Sequence, residues 1–248
     1  MTILLPAQGN LWFACGYARF SEAQNLTKTY TIDTRTITVL DDVSFTVEPG
    51  EFLVTVGSSG SGKSTLLSLL SGLDSPTSGR VCLAGQDITD LSEDELAPIR
   101  NETIGFVFQS FHLVPSLDAL ENVMFPAELK RARDAEDRAR ALLDRVGLGA
   151  RVHNFPHQLS GGEKQRVAIC RALINDPAII FADEPTGNLD SKNGDAILDL
   201  LLDLHRERHT TLVMVTHSQE IADMAARVIT LHDGHLLSDT RRAPLAAG

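Results

Sequence analysis

A stretch of eight residues limits the possible folds of this chain more than any other part of it. Residues 57–64 read GSSGSGKS and fit the phosphate-binding pattern G-x-x-x-x-G-K-[ST]. Gly-Ser tracts are often flexible linkers. Here, however, an apolar run at 52–56 precedes the pattern and a helical pattern at 64–71 follows it. A phosphate-binding loop needs strand, loop and helix in this order, so the sequence predicts an α/β fold built around a nucleotide site.

Strand and helix patterns alternate on both sides of the chain's middle. The apolar strand patterns lie at 52–56, 104–108, 179–182, 211–216 and 227–232. Helical patterns at 191–208 and 218–226 separate the last three strands. This order predicts a P-loop NTPase core, with a mostly parallel sheet flanked by helices. Asp233-Gly234 is a hairpin turn signal that closes the last strand pair.

Two further regions lie outside that core. Alternating residues at 26–30 and 36–47 predict an N-terminal antiparallel β subdomain. The segment at about 110–175 is mostly helical and too long for a loop, so we expect an inserted helical lobe. The expected domain boundaries are a poorly ordered extension at 1–24, the main domain at 25–240 and a frayed tail at 241–248.

Composition excludes several functional classes. The chain has 248 residues and a net charge of −11, with one Trp and two Tyr. It therefore offers few basic groups and few stacking side chains to a nucleic acid, and we expect no such partner. No run of about 18 apolar residues predicts a membrane span. The N-terminus has no basic residue before its short apolar stretch, which argues against a signal peptide.

The glycine-rich loop has a defined chemistry. Its glycines let successive N–H groups point inward at phosphates. Lys63 adds a positive charge at the β- and γ-phosphates, and the Ser64 hydroxyl is a ligand for Mg²⁺. We therefore expect ATP and Mg²⁺ as ligands. The residues predicted to bind the nucleotide here are Gly57, Ser58, Ser59, Gly60, Ser61, Gly62, Lys63, Ser64 and Thr65.

A second motif supplies two carboxylates. Asp183 and Glu184 directly follow the apolar strand at 179–182. Asp183 suits a Mg²⁺ position, and Glu184 can act as general base towards the attacking water. Adjacent acids at a strand end are also common as solvated turn residues. Downstream of a phosphate-binding loop, the pair favours catalysis.

The third motif is Leu-Ser-Gly-Gly-Glu at 159–163. Ser160 and Glu163 have the spacing of a capping box, so one interpretation is a well-started helix. A helix start with two glycines also exposes N–H groups to an anion such as a γ-phosphate. The three motifs together resemble the ATP-binding subunit of an ABC transporter, over residues 26 to about 237.

This resemblance implies that two copies of the chain form a homodimer around two ATP molecules. Ser160, Gly161 and Gly162 of one copy would then face Lys63 of the other. The remaining family positions implied by the resemblance are Gln109, which would touch Mg²⁺ and water, His217 as a γ-phosphate switch, Asp190 in a loop crossing the dimer, and Tyr30 stacked on adenine. Ser58 stands where the family often has Pro, and Cys170 where Ala is usual.

Within the family, the segments at 104–113, 120–123 and 183–190 look like the branch that serves lipoprotein release and macrolide export. The resemblance implies an ATPase that drives a separately encoded integral membrane permease, bound at the inner face of the cell membrane. Export and lipid or lipoprotein extraction are both open. One alternative is a regulatory ABC ATPase acting through a membrane partner on the cell envelope or cell division. Another is an ABC ATPase of translation or DNA maintenance, which the single ATPase unit and the acidity disfavour.

Overall fold

The computed structural model describes residues 21–242, which form ten strands and seven α-helices. The strands are β1 (Ser21–Ile32), β2 (Arg35–Val47), β3 (Phe52–Val56), β4 (Ser78–Leu83), β5 (Gln86–Asp87), β6 (Ile104–Val107), β7 (Ile179–Asp183), β8 (Thr211–Val215), β9 (Arg227–His232) and β10 (His235–Arg241). The helices are α1 (Lys63–Leu70), α2 (Glu93–Thr103), α3 (Ala119–Leu129), α4 (Ala135–Arg145), α5 (Gly161–Leu173), α6 (Ser191–Arg208) and α7 (Gln219–Met224).

A six-stranded sheet forms the centre of the protein. Its strand order is β10-β9-β3-β8-β7-β6, and every neighbouring pair is parallel except β9 with β10. The predicted turn at Asp233-Gly234 joins that antiparallel pair, with both residues at positive φ. The predicted helix-flanked, mostly parallel sheet is confirmed.

Alternate residues of the central strands face two separate apolar cores. Leu53 and Val213 pack with Leu66 of α1 on one face of the sheet. Val54 and Met214 pack on the other face with α6. Both faces are covered because parallel strands joined by helical crossovers carry helices on each side. Because both faces are covered, a ligand can reach the sheet at the edge where the carboxyl ends of the parallel strands lie.

The second sheet is antiparallel, in the order β2-β1-β4-β5. It confirms the predicted N-terminal β subdomain, but β1 begins at Ser21, before the strand predicted at 26–30. Ser21 pairs with Val47 on one side and with Leu83 on the other. The sequence patterns did not indicate β4 and β5. Pairing between distant strands sustains these short elements, and local periodicity does not report it.

Three helices, α3, α4 and α5, form the helical region and share an apolar core of their own. Val123, Leu143 and Val167 are at its centre and have no exposed surface. Cys170 also lies there, and burial raises the pKa of its thiol to about 12. It therefore acts as a neutral packing residue.

The predicted extension at 1–24 lies outside the described residues except for its last four, which belong to β1, and the predicted tail lies outside them beyond residue 242. The domain boundaries remain predictions. No helix within 21–242 combines the length and the apolar character that crossing a membrane requires.

Candidate active site

The glycine-rich loop curls around the start of α1. Gly62 precedes the helix in a left-handed conformation at φ 99°, which side chains other than glycine rarely adopt. The Lys63 side chain folds back into the loop, and its Nζ donates to the carbonyl oxygens of Gly57 and Ser58, at 2.9 Å each. The buried Ser61 Oγ has no hydrogen-bond partner among the described residues. A buried lysine and an unpaired hydroxyl in one loop fit an anionic ligand.

Residues of the β9–β10 hairpin, far along the chain, hold this loop in place, and sequence patterns did not indicate these contacts. A Cβ at Gly57 would overlap the carbonyl oxygen of Leu231. The Gly234 N–H donates to the Ser61 carbonyl oxygen at 3.2 Å. Val39 lines the cleft beside the loop. The β9–β10 hairpin therefore supports the loop from behind.

The predicted acid pair lies at the tip of β7, beside α1. The Ser64 hydroxyl donates to Asp183 Oδ1 at 3.0 Å. Burial raises the pKa of Asp183, the Ser64 hydrogen bond opposes this shift, and the charge of neighbouring Glu184 adds to it. A carboxylate and a hydroxyl in contact are suitable oxygen ligands for Mg²⁺. Their pairing fits a cation that would complete its coordination with phosphate oxygens.

Parallel pairing of β7 with β8 brings Glu184 and His217 together. Asp183 pairs with Val215, so the residues after the two strands meet at the same edge. Glu184 Oε2 lies 3.2 Å from His217 Nδ1. Glu184 has a positive φ of 43°, and its N–H donates to the Val215 carbonyl oxygen. Such strained non-glycine residues cluster at functional sites.

An open cleft of about 370 Å³ joins several of these groups. Its lining residues are Val39, Ser59, Gly60, Gly62, Lys63, Ser64, Thr65, Gln109 and Glu184. Gln109 follows β6, and the Asn188 amide donates to its carbonyl oxygen at 3.0 Å. The Gln109 side chain lies against Gly187, where a Cβ would sit 2.8 Å from Nε2. The predicted loop, base and glutamine thus share one cavity.

Three predicted residues, at 160–162, lie elsewhere in the same chain. Ser160 caps α5, and the capping box with Glu163 is present: Ser160 N donates to Glu163 Oε2 at 2.8 Å. A Cβ at Gly161 would touch Leu189. Asp190 caps α6 and accepts a hydrogen bond from Asn193 N at 3.1 Å. The 160–162 motif and Asp190 therefore share one surface, and neither is among the residues lining the cleft.

Tyr30 is near the cleft without lining it. Its side chain is 39% exposed, and its hydroxyl donates to Asp74 Oδ2 at 2.7 Å. Burial raises the pKa of Tyr30, as does Asp74, while a hydrogen bond with Thr65 opposes the shift. Thr65 belongs to the cleft lining, so the ring lies beside the phosphate loop. Asp74 is another residue that the sequence did not indicate.

The fold and the cleft together define an ATPase of the P-loop class. The model of the ABC transporter family matches residues 40–187. The lipoprotein-releasing ATP-binding protein LolD of Hydrogenovibrio crunogenus is 49% identical over 218 residues, which are 87% of this chain and 95% of that protein. The chain belongs to the ABC transporter family and is an ATPase of that kind.

Longer relatives and solved structures agree with this assignment. The macrolide export ATP-binding/permease protein MacB of Chlorobaculum tepidum is 49% identical over 222 residues, which are 89% of this chain and 34% of that protein. The chain thus spans about a third of the MacB relatives it matches. The cassette MJ0796, solved as a dimer in a post-hydrolysis state bound to ADP and Pi, is 42% identical, with a TM-score of 0.84 over 90% of this chain and 98% of that one.

Proposed function

We propose that two copies of this chain hydrolyse ATP between them and drive an integral membrane permease. One observation carries the proposal. The cleft holds Lys63 and Glu184, whereas the Ser160 motif lies outside it on the same chain. A cleft completed by the 160–162 motif of a second copy would have N–H groups on both sides of the γ-phosphate.

Within such a site each group has a distinct task. Lys63 would exchange its two carbonyl contacts for the β- and γ-phosphates. Ser64, Asp183 and Gln109 would hold Mg²⁺, which neutralises charge that develops on the phosphates. Glu184 would take the proton of the attacking water, and its contact with His217 fixes the direction of its carboxylate.

An apolar groove supports the permease as partner. It has a volume of about 420 Å³ and lies between α2, α3 and α5. Phe125 and Leu129, which line it, are 44% and 65% exposed. Phe108 lines it too and directly precedes Gln109 of the cleft. A helix of the permease seated there would contact the segment that carries Gln109, so docking and the nucleotide site would be linked.

Only the relatives indicate what kind of molecule is transported. LolD is described as part of a lipoprotein-releasing system and MacB as a macrolide exporter. We propose that this chain works at the cytoplasmic face of the membrane in export or lipoprotein extraction. A regulatory ABC ATPase with a membrane partner would have the same cleft. Co-purification with one polytopic protein, followed by assay of its cargo, separates these roles.

Glu184→Gln tests the catalytic assignment. Removal of a general base should lower hydrolysis about 10²–10⁴-fold and leave ATP binding intact, so ATP-bound dimers accumulate on size exclusion. Glu220→Gln, in the first turn of α7, is a matched control and should behave like the wild type. Undiminished turnover in the Glu184 variant would remove that residue from its role.

A further inference from the structure

Lys28, Tyr30 and Asp74 form a closed set of contacts beside the cleft. The Tyr30 hydroxyl donates to Asp74 Oδ2 at 2.7 Å, and Lys28 Nζ donates to Asp74 Oδ1 at 2.7 Å. The Lys28 ammonium also lies over the Tyr30 ring, 4.9 Å from its centroid. One face of the ring is therefore covered by a cation, while 39% of the residue remains exposed.

Asp74 is joined to the helix that carries the phosphate loop. The Asp74 N–H donates to the carbonyl oxygen of Ser68, on α1, at 3.2 Å. The Ser68 hydroxyl donates in turn to the Ser64 carbonyl oxygen at 2.9 Å. Tyr30 belongs to β1 of the antiparallel sheet, whereas α1 and the phosphate loop follow β3 of the six-stranded sheet. Its hydrogen bond to Asp74 thus ties the ring of one subdomain to the phosphate-binding helix of the other.

The charge of Asp74 is maintained by its surroundings. Burial alone would raise its pKa, but hydrogen bonds from Lys28, Tyr30 and the Ser75 N–H lower the pKa on balance. At neutral pH Asp74 is therefore an ionised acceptor and the Tyr30 hydroxyl a neutral donor. Hydrogen bonds to an ionised acceptor are stronger than neutral ones, so the ring is firmly oriented.

We infer that Asp74 is a positioning residue that fixes the Tyr30 ring at a set distance from the phosphate loop and so determines how tightly the nucleotide base is held. Lys28 occupies one ring face and directs the base to the other. This inference rests on the role that the resemblance to the family implies for Tyr30, namely that its ring is the platform on which the nucleotide base stacks. The new element is Asp74, whose hydrogen bond holds the Tyr30 ring in position.

The test compares two ligands of the purified chain, ATP and inorganic tripolyphosphate, which lacks a base. Asp74→Ala should weaken ATP binding at least about tenfold, the effect of one hydrogen bond to a charged group, and leave tripolyphosphate binding unchanged. Tyr30→Phe, which keeps the ring and removes the hydroxyl, should reproduce this loss. The double variant should be no weaker than either single one. Asp90→Ala, an exposed aspartate of the same subdomain, is the control and should match the wild type.

Two results would overturn the inference. Equal weakening of both ligands by Asp74→Ala would mean that Asp74 supports α1 rather than the ring. Additive losses in the double variant would mean that Asp74 and Tyr30 act independently. Tyr30→Ala distinguishes the inference from its premise. If that variant binds ATP as well as the wild type, the base platform fails; if it loses ATP affinity while Asp74→Ala does not, only the positioning role fails.

Discussion

Gly62→Ala should damage the fold far more than Gly60→Ala, although both glycines lie in the same loop at positive φ. Gly60 has φ 80° with open space where a Cβ would lie, whereas at Gly62, with φ 99°, a Cβ would sit 2.7 Å from Leu40 Cδ2 and 2.8 Å from the Val39 carbonyl oxygen. Alanine at Gly60 should cost about 1 kcal/mol for backbone strain alone. Alanine at Gly62 adds an overlap of about 1–3 kcal/mol, for a total of about 2–4 kcal/mol.

Urea unfolding of the nucleotide-free chain measures the free energy of unfolding that each variant loses, and thermal unfolding measures the corresponding fall in melting temperature. A chain of this size should lose roughly 2–4 °C of melting temperature per kcal/mol, so Gly62→Ala should melt about 5–15 °C below the wild type. An unchanged m-value would show that the variants differ in stability and not in compactness. Equal losses of stability in the two variants would refute the reasoning, because the overlap of the added Cβ with Val39 and Leu40 would then cost nothing.

Three other perturbations have defined outcomes. Burial raises the pKa of Asp183, so at pH values above the ordinary carboxyl pKa its ionised form destabilises the nucleotide-free fold. Asp183→Asn should therefore have a higher melting temperature than the wild type at pH 7 and the same melting temperature below about pH 4. The variant should also lose the stabilisation that ATP with Mg²⁺ gives the wild type. Ser160→Arg should bind ATP but not hydrolyse it. The control is Ser92→Arg, which alters the equivalent capping box at the start of α2; it should lose only about 1 kcal/mol of stability and keep its activity. Arg227 is 4% exposed and paired with Glu51 and Asp239, so Arg227→Met should lower the free energy of unfolding by about 3–5 kcal/mol. Arg227 holds the pKa of Asp239 below its ordinary value, so this difference between variant and wild type should narrow below about pH 4, where Asp239 becomes protonated.

The sequence predicted those parts of the site that are local in the chain. The loop before α1, the acids after β7 and the cap of α5 each occupy a few consecutive residues with a recognisable pattern. The resemblance to the family implied His217, which follows the strand next in sequence to that of Asp183, and these two strands are neighbours in the sheet. The functional roles of these residues remain proposals.

The parts that sequence reasoning missed depend on contacts between distant segments. Tyr30 and Asp74 are 44 positions apart, and only the folding of β1 against the end of α1 brings them together. The support of Gly57 by Leu231 spans most of the chain. The left-handed conformation of Glu184 gives no compositional signal either, because glutamate is not a residue that favours it.

The hairpin behind the glycine-rich loop affects when the loop can take its final shape. Ser61 receives its hydrogen bond from Gly234, and Asp41 donates its N–H to the Gly234 carbonyl oxygen at 2.9 Å. A nascent chain emerging from the ribosome has made residue 61 long before residue 234. The loop therefore lacks these backbone contacts until β9 and β10 have been synthesised, and a polypeptide truncated after β8 should not hold ATP however well its earlier segments have formed.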